Sequence, residues 1–230
     1  MKIVVVSDIH SNLEALEAVA GSLPKYDELW CLGDIVGYGA QPNEVIERLQ
    51  QLGPTIVLMG NHEQAVVTGD VEVFSPHAAK AVKWTKRVVA EASLGYLAAL
   101  KPLRRVEREG RTVALFHGSP RDPIMEYVYP GMGEMVIRSL IDEAAAEIVI
   151  LGHTHIPMYY KFNGKLLANP GSVGQPRDGD YRASFALLSI TRSEVKFEVR
   201  RVEYDVDAVA GKIMKSGLPS FLAERLRIGM

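Results

Sequence analysis

Cysteine is almost missing from this sequence: Cys31 is the only one in 230 residues. A single thiol cannot close an internal disulfide, and a thiolate cage for a structural zinc is equally out of reach. Set in Leu29-Trp30-Cys31-Leu32, it reads as a small buried hydrophobe. Long apolar runs are also missing, and none approaches the roughly 18 residues of a membrane span. Charge of one sign is not in excess either, with 26 basic against 28 acidic side chains and a net charge of -2. That balance gives no broad basic field and argues against a nucleic-acid backbone as partner. Met1-Lys2 runs straight into a strand-like segment and leaves no room for a signal peptide, so the expectation is a soluble, cytoplasmic protein. There is no repeat and no low-complexity stretch. A chain of this length buries about 70% of its unfolded surface, and we expect a single domain over residues 1–230.

What the chain does have is histidine at special places. In Leu151-Gly152-His153-Thr154-His155 two histidines are separated by one residue and follow the apolar run Ile148 to Leu151. If that stretch is extended, both imidazoles face one side at roughly 6–7 Å spacing, suited to one metal or a pair. The same arrangement, four apolar residues and then a metal-ligand type, recurs four times. Ile3 to Val6 leads to Asp8 and His10, Leu29 to Leu32 to Asp34, Ile56 to Met59 to Asn61 and His62, and Val113 to Phe116 to His117. Five of the six histidines fall at these points. Strand ends of this kind meet at one rim of an open sheet, where ligands bind.

The rest of the pattern alternates. Asn12 can cap a helix over Leu13 to Ser22, Pro42 opens another through Leu52, and Ser75-Pro76 starts a helical segment reaching about Ala92. Arg104 to Phe116 suggests a hairpin turning at Glu109-Gly110. After a helix over about Gly133 to Ala145 and the strand at Ile148, Asn163-Gly164 marks a second hairpin through a type I′ turn. Two more strands span about Ala183–Ile190 and Val195–Tyr204, and a helical tail is broken at Gly217-Pro219. Early helices between strands and later hairpins predict two sheets with helices outside.

Asp8-Ile9-His10, Gly33-Asp34 with Gly37, Gly60-Asn61-His62-Glu63, His117-Gly118 and Gly152-His153-Thr154-His155 stand in the order found in calcineurin-like metallophosphoesterases. The resemblance covers Lys2 to about Arg182 and is strongest to short bacterial and archaeal phosphodiesterases. It implies an α/β fold built as a four-layer αββα sandwich, two mixed β-sheets flanked by helices. It implies two divalent metal ions, with Asp8, His10, Asp34 and His155 on one and Asp34, Asn61, His117 and His153 on the other. Carboxylate, imidazole and amide ligands suit Mn, Fe, Co, Ni or Zn. The implied activity is hydrolysis of phosphodiester bonds in small or nucleotide-like substrates. A metal-bound hydroxide attacks in line and His62 acts as general acid. A small phosphate ester is then the expected partner, with a phosphomonoesterase, a nuclease or a non-catalytic interaction scaffold as alternatives.

Protein phosphatases of this kind carry an Asp and an Arg where this chain has Gly37 and Tyr38, which argues against a phosphoprotein substrate and leaves open what orients His62. Arg177, at the end of the Gly- and Pro-rich stretch Asn169 to Arg177, is the candidate phosphate contact in place of the absent arginine. His77 lies off the strand ends, either as a solvated helix residue or as a substrate contact on a cap. Tyr127 and Tyr129 line a pocket or simply pack. The arginines of the first hairpin read as a solvated face, and apolar residues of the tail offer a surface for a homo-oligomer.

Overall fold

In a computed structural model describing residues 1–230, β1 (Lys2–Val6) leads into α1 (Leu13–Ser22), β2 (Glu28–Cys31), α2 (Pro42–Gln51) and a two-residue β3 (Ile56–Val57). Three helices follow, α3 (Asn61–Thr68), α4 (Pro76–Val88) and α5 (Glu91–Ala99), then the hairpin β4 (Leu103–Arg108) and β5 (Arg111–Phe116). Next come α6 (Glu134–Glu143), β6 (Ile148–Ile150) and the hairpin β7 (Met158–Phe162) and β8 (Lys165–Asn169). Strands β9 (Ala183–Ile190) and β10 (Val195–Val202) precede α7 (Val206–Lys215) and α8 (Ser220–Leu226). The local signals act as expected where they are strong. Asn12 accepts the Ala15 amide and Ser75 that of Ala78 at the starts of α1 and α4. Asn163 and Gly164 both take positive φ in the β7–β8 turn.

The strands form two five-stranded sheets, in the orders β10-β9-β1-β2-β3 and β4-β5-β6-β8-β7. Within each, three adjacent strands are parallel, β1-β2-β3 and β5-β6-β8, and antiparallel neighbours complete the sheet. Parallel strands buried on both faces read as unbroken apolar runs, which is why the sequence shows no alternation there. In β1 the side chains divide by parity. Val4 and Val6 pack under α1 and α2, while Ile3 and Val5 face the other sheet. Trp30 and Leu32 meet Leu115, Ile148 and Ile150 in the layer between the sheets, and α6 covers the far face through Ile137, Leu140 and Ile141. The architecture is a four-layer αββα sandwich.

Three stretches differ from the sequence expectation. The apolar run at Ile56 pairs as strand for two residues only, because the Met59 amide turns away to the Lys101 carbonyl. The helix after Ser75 stops at Val88, since the Asn43 side chain of α2 takes both the Val88 carbonyl and the Ala90 amide and a separate α5 starts beyond. Helix α3 is not expected from the sequence. It starts at the candidate ligand Asn61 and ends at Gly69, whose φ of 86° is left-handed.

Candidate metal centre

The loops leaving the C-terminal ends of β1, β2, β3, β5 and β6 converge on one rim, and β8 ends there too. Their backbone is unusual. Asp8, His10, Asp34, His153 and His155 all have φ between 51° and 68°, the left-handed region that residues with side chains seldom enter. Such strain persists only where the surroundings hold it, and it gathers at functional sites. It also corrects the geometry expected for His153 and His155. Neither residue is extended, and the left-handed turns send the two rings to different clusters.

One cluster holds Asp8, His10, Asp34 and His155, the other Asp34, His117 and His153, with ligand atoms in each lying within 4.8 Å of one another. In the first, His10 Nε2 faces His155 Nε2 at 3.0 Å and Asp34 Oδ2 at 3.6 Å, and His155 Nε2 lies 3.3 Å from Asp8 Oδ1. In the second, His117 Nε2 lies 3.2 Å from both His153 Nδ1 and Asn61 Oδ1, and 3.4 Å from Asp34 Oδ2. Asp34 belongs to both. Every one of these side chains is buried.

The chemistry of the donors fits divalent cations. The remaining ring nitrogen of each histidine meets a backbone carbonyl: His10 Nδ1 that of Val36, His117 Nδ1 that of Leu32, His155 Nδ1 that of Gln175 and His153 Nε2 that of Met125. Donating those N–H groups fixes all four tautomers and leaves the other nitrogens as lone pairs aimed at one another. Lone pairs facing each other at 3 Å need a positive charge between them. Asp8 Oδ1, buried without a hydrogen-bond partner, has the same need.

The electrostatics agree. Burial alone would keep the carboxyl of Asp8 protonated, yet the imidazoles of His155 and His117 hold it well below the carboxylate range, and Asp34 is held down likewise by His117 and His62. Burial depresses His10, and it takes His153 to about 3, with the neighbouring His117 adding to the effect. His117 alone is raised, to about 9, where Asp34 overcomes the burial penalty.

Around the donors lies a shell the sequence reading overlooked. Glu63, fully buried, accepts the backbone amides of Asp34 at 2.7 Å, Val36 at 3.0 Å and Gly60 at 2.8 Å, so one carboxylate ties the loop after β2 to the start of α3. Burial and the Asp34 charge push it up to about 7 against those three donors. Its signal was in the motif, since a Glu three residues after a helix N-cap reaches back to the cap amide. Gly60 has to be glycine, because a Cβ there would lie 2.1 Å from Asp34 Oδ1.

His62, second residue of α3, donates its amide to Asp34 Oδ1 at 2.9 Å. Its ring stands edge-on to His10 and Phe74 and against Tyr38, at centroid distances of 4.8, 5.1 and 4.5 Å. Nδ1 is buried without a partner against Gly37, where a Cβ would come within 2.1 Å of it. Burial lowers this imidazole to about 4 despite Asp34. Packing, not a carboxylate, therefore orients His62.

Arg177 meets Tyr38 at the edge of the first cluster: its Nη2 donates to the Tyr38 hydroxyl at 3.2 Å and to Gln175 Oε1 at 2.9 Å, and it has no carboxylate partner. The stretch from Asn169 to Arg177 braces the loop after β1, with the amides of Val173 and Gly174 donating to the carbonyls of Ser7 and Asp8. Tyr127 stacks on His153 at 3.8 Å and Tyr129 stacks on Tyr127, so these aromatics wall the second cluster. His77 lies outside both clusters and stacks on Phe221 of α8 at 4.8 Å.

The sequence pattern of the calcineurin-like phosphoesterase superfamily domain matches residues 1–193. An uncharacterized protein of Methanocaldococcus jannaschii is 37% identical over 99% of this chain and 98% of its own length. The crystal structure of a metallophosphoesterase from Sphaerobacter thermophilus superposes with a TM-score of 0.85 at 35% identity, covering 100% of this chain and 99% of that one. The phosphodiesterase YfcE of Escherichia coli is 24% identical over 82% of this chain and 87% of its own. No helix is long and apolar enough to cross a membrane.

Proposed function

The chain belongs to the calcineurin-like phosphoesterase superfamily, and from that premise we propose that it is a dimetal-dependent phosphodiesterase acting on small or nucleotide-like esters. The observation that carries this reading is Asp34, one carboxylate shared by two buried sets of N and O donors. Asp8, His10, Asp34 and His155 would hold one divalent cation, and Asp34, Asn61, His117 and His153 the other. Two cations so placed supply Lewis acidity toward the phosphoryl oxygens and toward water.

The chain's own groups do the rest. The left-handed loops, Glu63 and the four carbonyl-bonded imidazoles hold the donors rigid, so little reorganisation is needed as charge develops. His62 Nδ1 is buried without a partner, which leaves Nε2 as the nitrogen that would face the leaving oxygen. A substrate phosphate beside the ring favours the imidazolium that hands the proton over. Arg177, without a carboxylate of its own, contributes positive charge toward the substrate phosphate from the Tyr38 side. Identity of the ester and of the metals is tested by loading the protein with Mn, Fe, Co, Ni or Zn and assaying paired mono- and diester substrates; a preference for monoesters under every metal would overturn the diester assignment. His62→Ala should keep both metals by elemental analysis and lose about 10²–10⁴-fold in kcat. Unchanged turnover would remove His62 from the reaction.

A further inference from the structure

Away from the metal cluster, α4 and α8 enclose an open groove of about 970 Å³. Lys80, Lys83, Lys86 and Arg87 of α4 line it, together with the Trp84 ring and the stacked pair His77 and Phe221, and no acidic side chain does. Helix α4 itself contains no carboxylate. About half of the cations elsewhere are paired, among them Arg48, Arg108, Arg111, Arg121, Arg182 and Arg201, each of which meets an Asp or Glu. None of the four in the groove does, and Lys86 reaches only the Val67 carbonyl, at 3.1 Å. The near balance of charge over the whole chain hides this segregation, and it is the reason the net charge argued against a nucleic-acid partner.

One end of the groove, at His77, follows in sequence from the segment that packs on His62. Phe74, whose ring meets His62 at 5.1 Å, immediately precedes the Ser75 cap of α4. On the other wall the Arg225 guanidinium lies over Phe221 at 5.4 Å, and it is lowered to about 10 by burial and by the like charge of Arg177. From His77 to Arg87 the helix rises about 15 Å, room for two or three successive phosphates of an extended strand. Cations along a groove with partly exposed aromatic rings beside them, Phe221 being 45% exposed, are what single strands use, the cations for the backbone and the rings for bases.

We propose that the groove between α4 and α8 binds a single-stranded oligonucleotide whose backbone follows Lys80, Lys83 and Arg87 away from the metal cluster, with bases against the His77 and Phe221 rings. As a statement about substrate this rests on the phosphodiesterase reading; as a statement about binding it stands alone. The test is fluorescence anisotropy of a labelled ten-nucleotide oligothymidylate with the full chain in EDTA, over a range of salt concentrations. Lys80→Glu/Lys83→Glu/Arg87→Glu should weaken binding at least tenfold and flatten the log–log salt slope by about 2. Phe221→Ala should weaken it several-fold without changing that slope. A charge-matched control, Lys25→Glu/Lys165→Glu/Lys196→Glu, should cost much less. No binding by the unaltered chain, or an equal loss in control and groove variants, overturns the proposal. So does equal affinity for duplex DNA, or binding indifferent to Phe221→Ala and matched by inorganic polyphosphate. Turnover of bis-p-nitrophenyl phosphate by the unaltered chain, measured alongside with metal, reports separately: its absence removes the phosphodiesterase reading and leaves the binding result standing.

Discussion

The two donor clusters share carboxylate and imidazole donors, with the Asn61 amide beside the second alone, and they are supported differently. Around Asp8, His10 and His155 the orienting carbonyls belong to Val36 and Gln175, in segments laced to the sheet by the Glu63 carboxylate and by the Asp8 and Ser7 carbonyls. The His153 side of the other half depends on the Met125 carbonyl and the ring of Tyr127, both in the long connection between β5 and α6. Tyr127 is 39% exposed, whereas His10 and His155 are sealed. Segments with fewer buried neighbours open at lower cost, so rigid support on one side and loop support on the other teach that two adjacent donor clusters need not be held equally.

The harshest way to break that comparison is to remove what the halves share. Asp34→Ala should abolish the distinction, with metal content falling from two ions to fewer than one per chain by elemental analysis and activity on a small diester falling more than about 10³-fold. Retention of two ions would mean that Asp34 does not bridge. Gly37→Ala comes next. The new methyl would lie 2.1 Å from His62 Nδ1 at a residue whose φ is +88°, so the ring has to move. Loss of about 10²-fold in kcat with both metals retained is expected, since a displacement of about 1 Å has that effect. Loss of metal instead would show that Gly37 serves the donors and not His62.

A smaller effect sharpens the difference between the halves. Tyr127→Ala removes the face against His153 and touches nothing in the first cluster. Because partners that orient a metal-binding histidine are typically worth 10–100-fold in affinity, calorimetric titration should show one site weakened about tenfold and the other unmoved. Equal weakening of both would remove the asymmetry.

The unequal support also explains what was legible in the sequence. Donors at the ends of apolar runs could be read because buried parallel strands leave an unmistakable pattern, and Asp8, Asp34, His117 and His153 all follow such runs. Two sheets with helices outside followed from the same runs and from turn residues such as Asn163-Gly164, and the four-layer order from the family resemblance. The left-handed backbone at His153 and His155 could not be read, since its hydrogen-bond partners are distant in sequence, the Asp8 carboxylate on the His153 amide and the Arg177 amide on the His155 carbonyl among them. Helix α3 was hidden because its first residues serve the site, and Glu63 because a carboxylate bonded only to backbone looks like any capping residue. Of the hairpin arginines, Arg104 and Arg105 are exposed, as a solvated face requires, and the other two differ for a related reason. Arg108 pairs with Glu28 and Arg111 with Glu147, contacts that exist only once the sheets are in place.

The mildest prediction bears on the well-supported half. Arg177 is held by Gln175, Tyr38 and its own backbone bond to the His155 carbonyl, so it is part of the structure that braces the first cluster as well as a charge beside it. If bracing were its main role, Arg177→Ala would loosen metal. The donors of that half are tied down independently by Val36, Gln175 and Glu63, so the loss should instead fall on the substrate: KM for a small diester raised about three- to tenfold, kcat changed less than threefold, and metal content unchanged. Arg177→Lys keeps the charge but loses the planar fork that reaches Tyr38 and Gln175 together, and should recover only part of the KM. Unchanged KM and kcat in the alanine variant would dismiss the phosphate contact, and a lost metal would make the first half as dependent on its loop as the second.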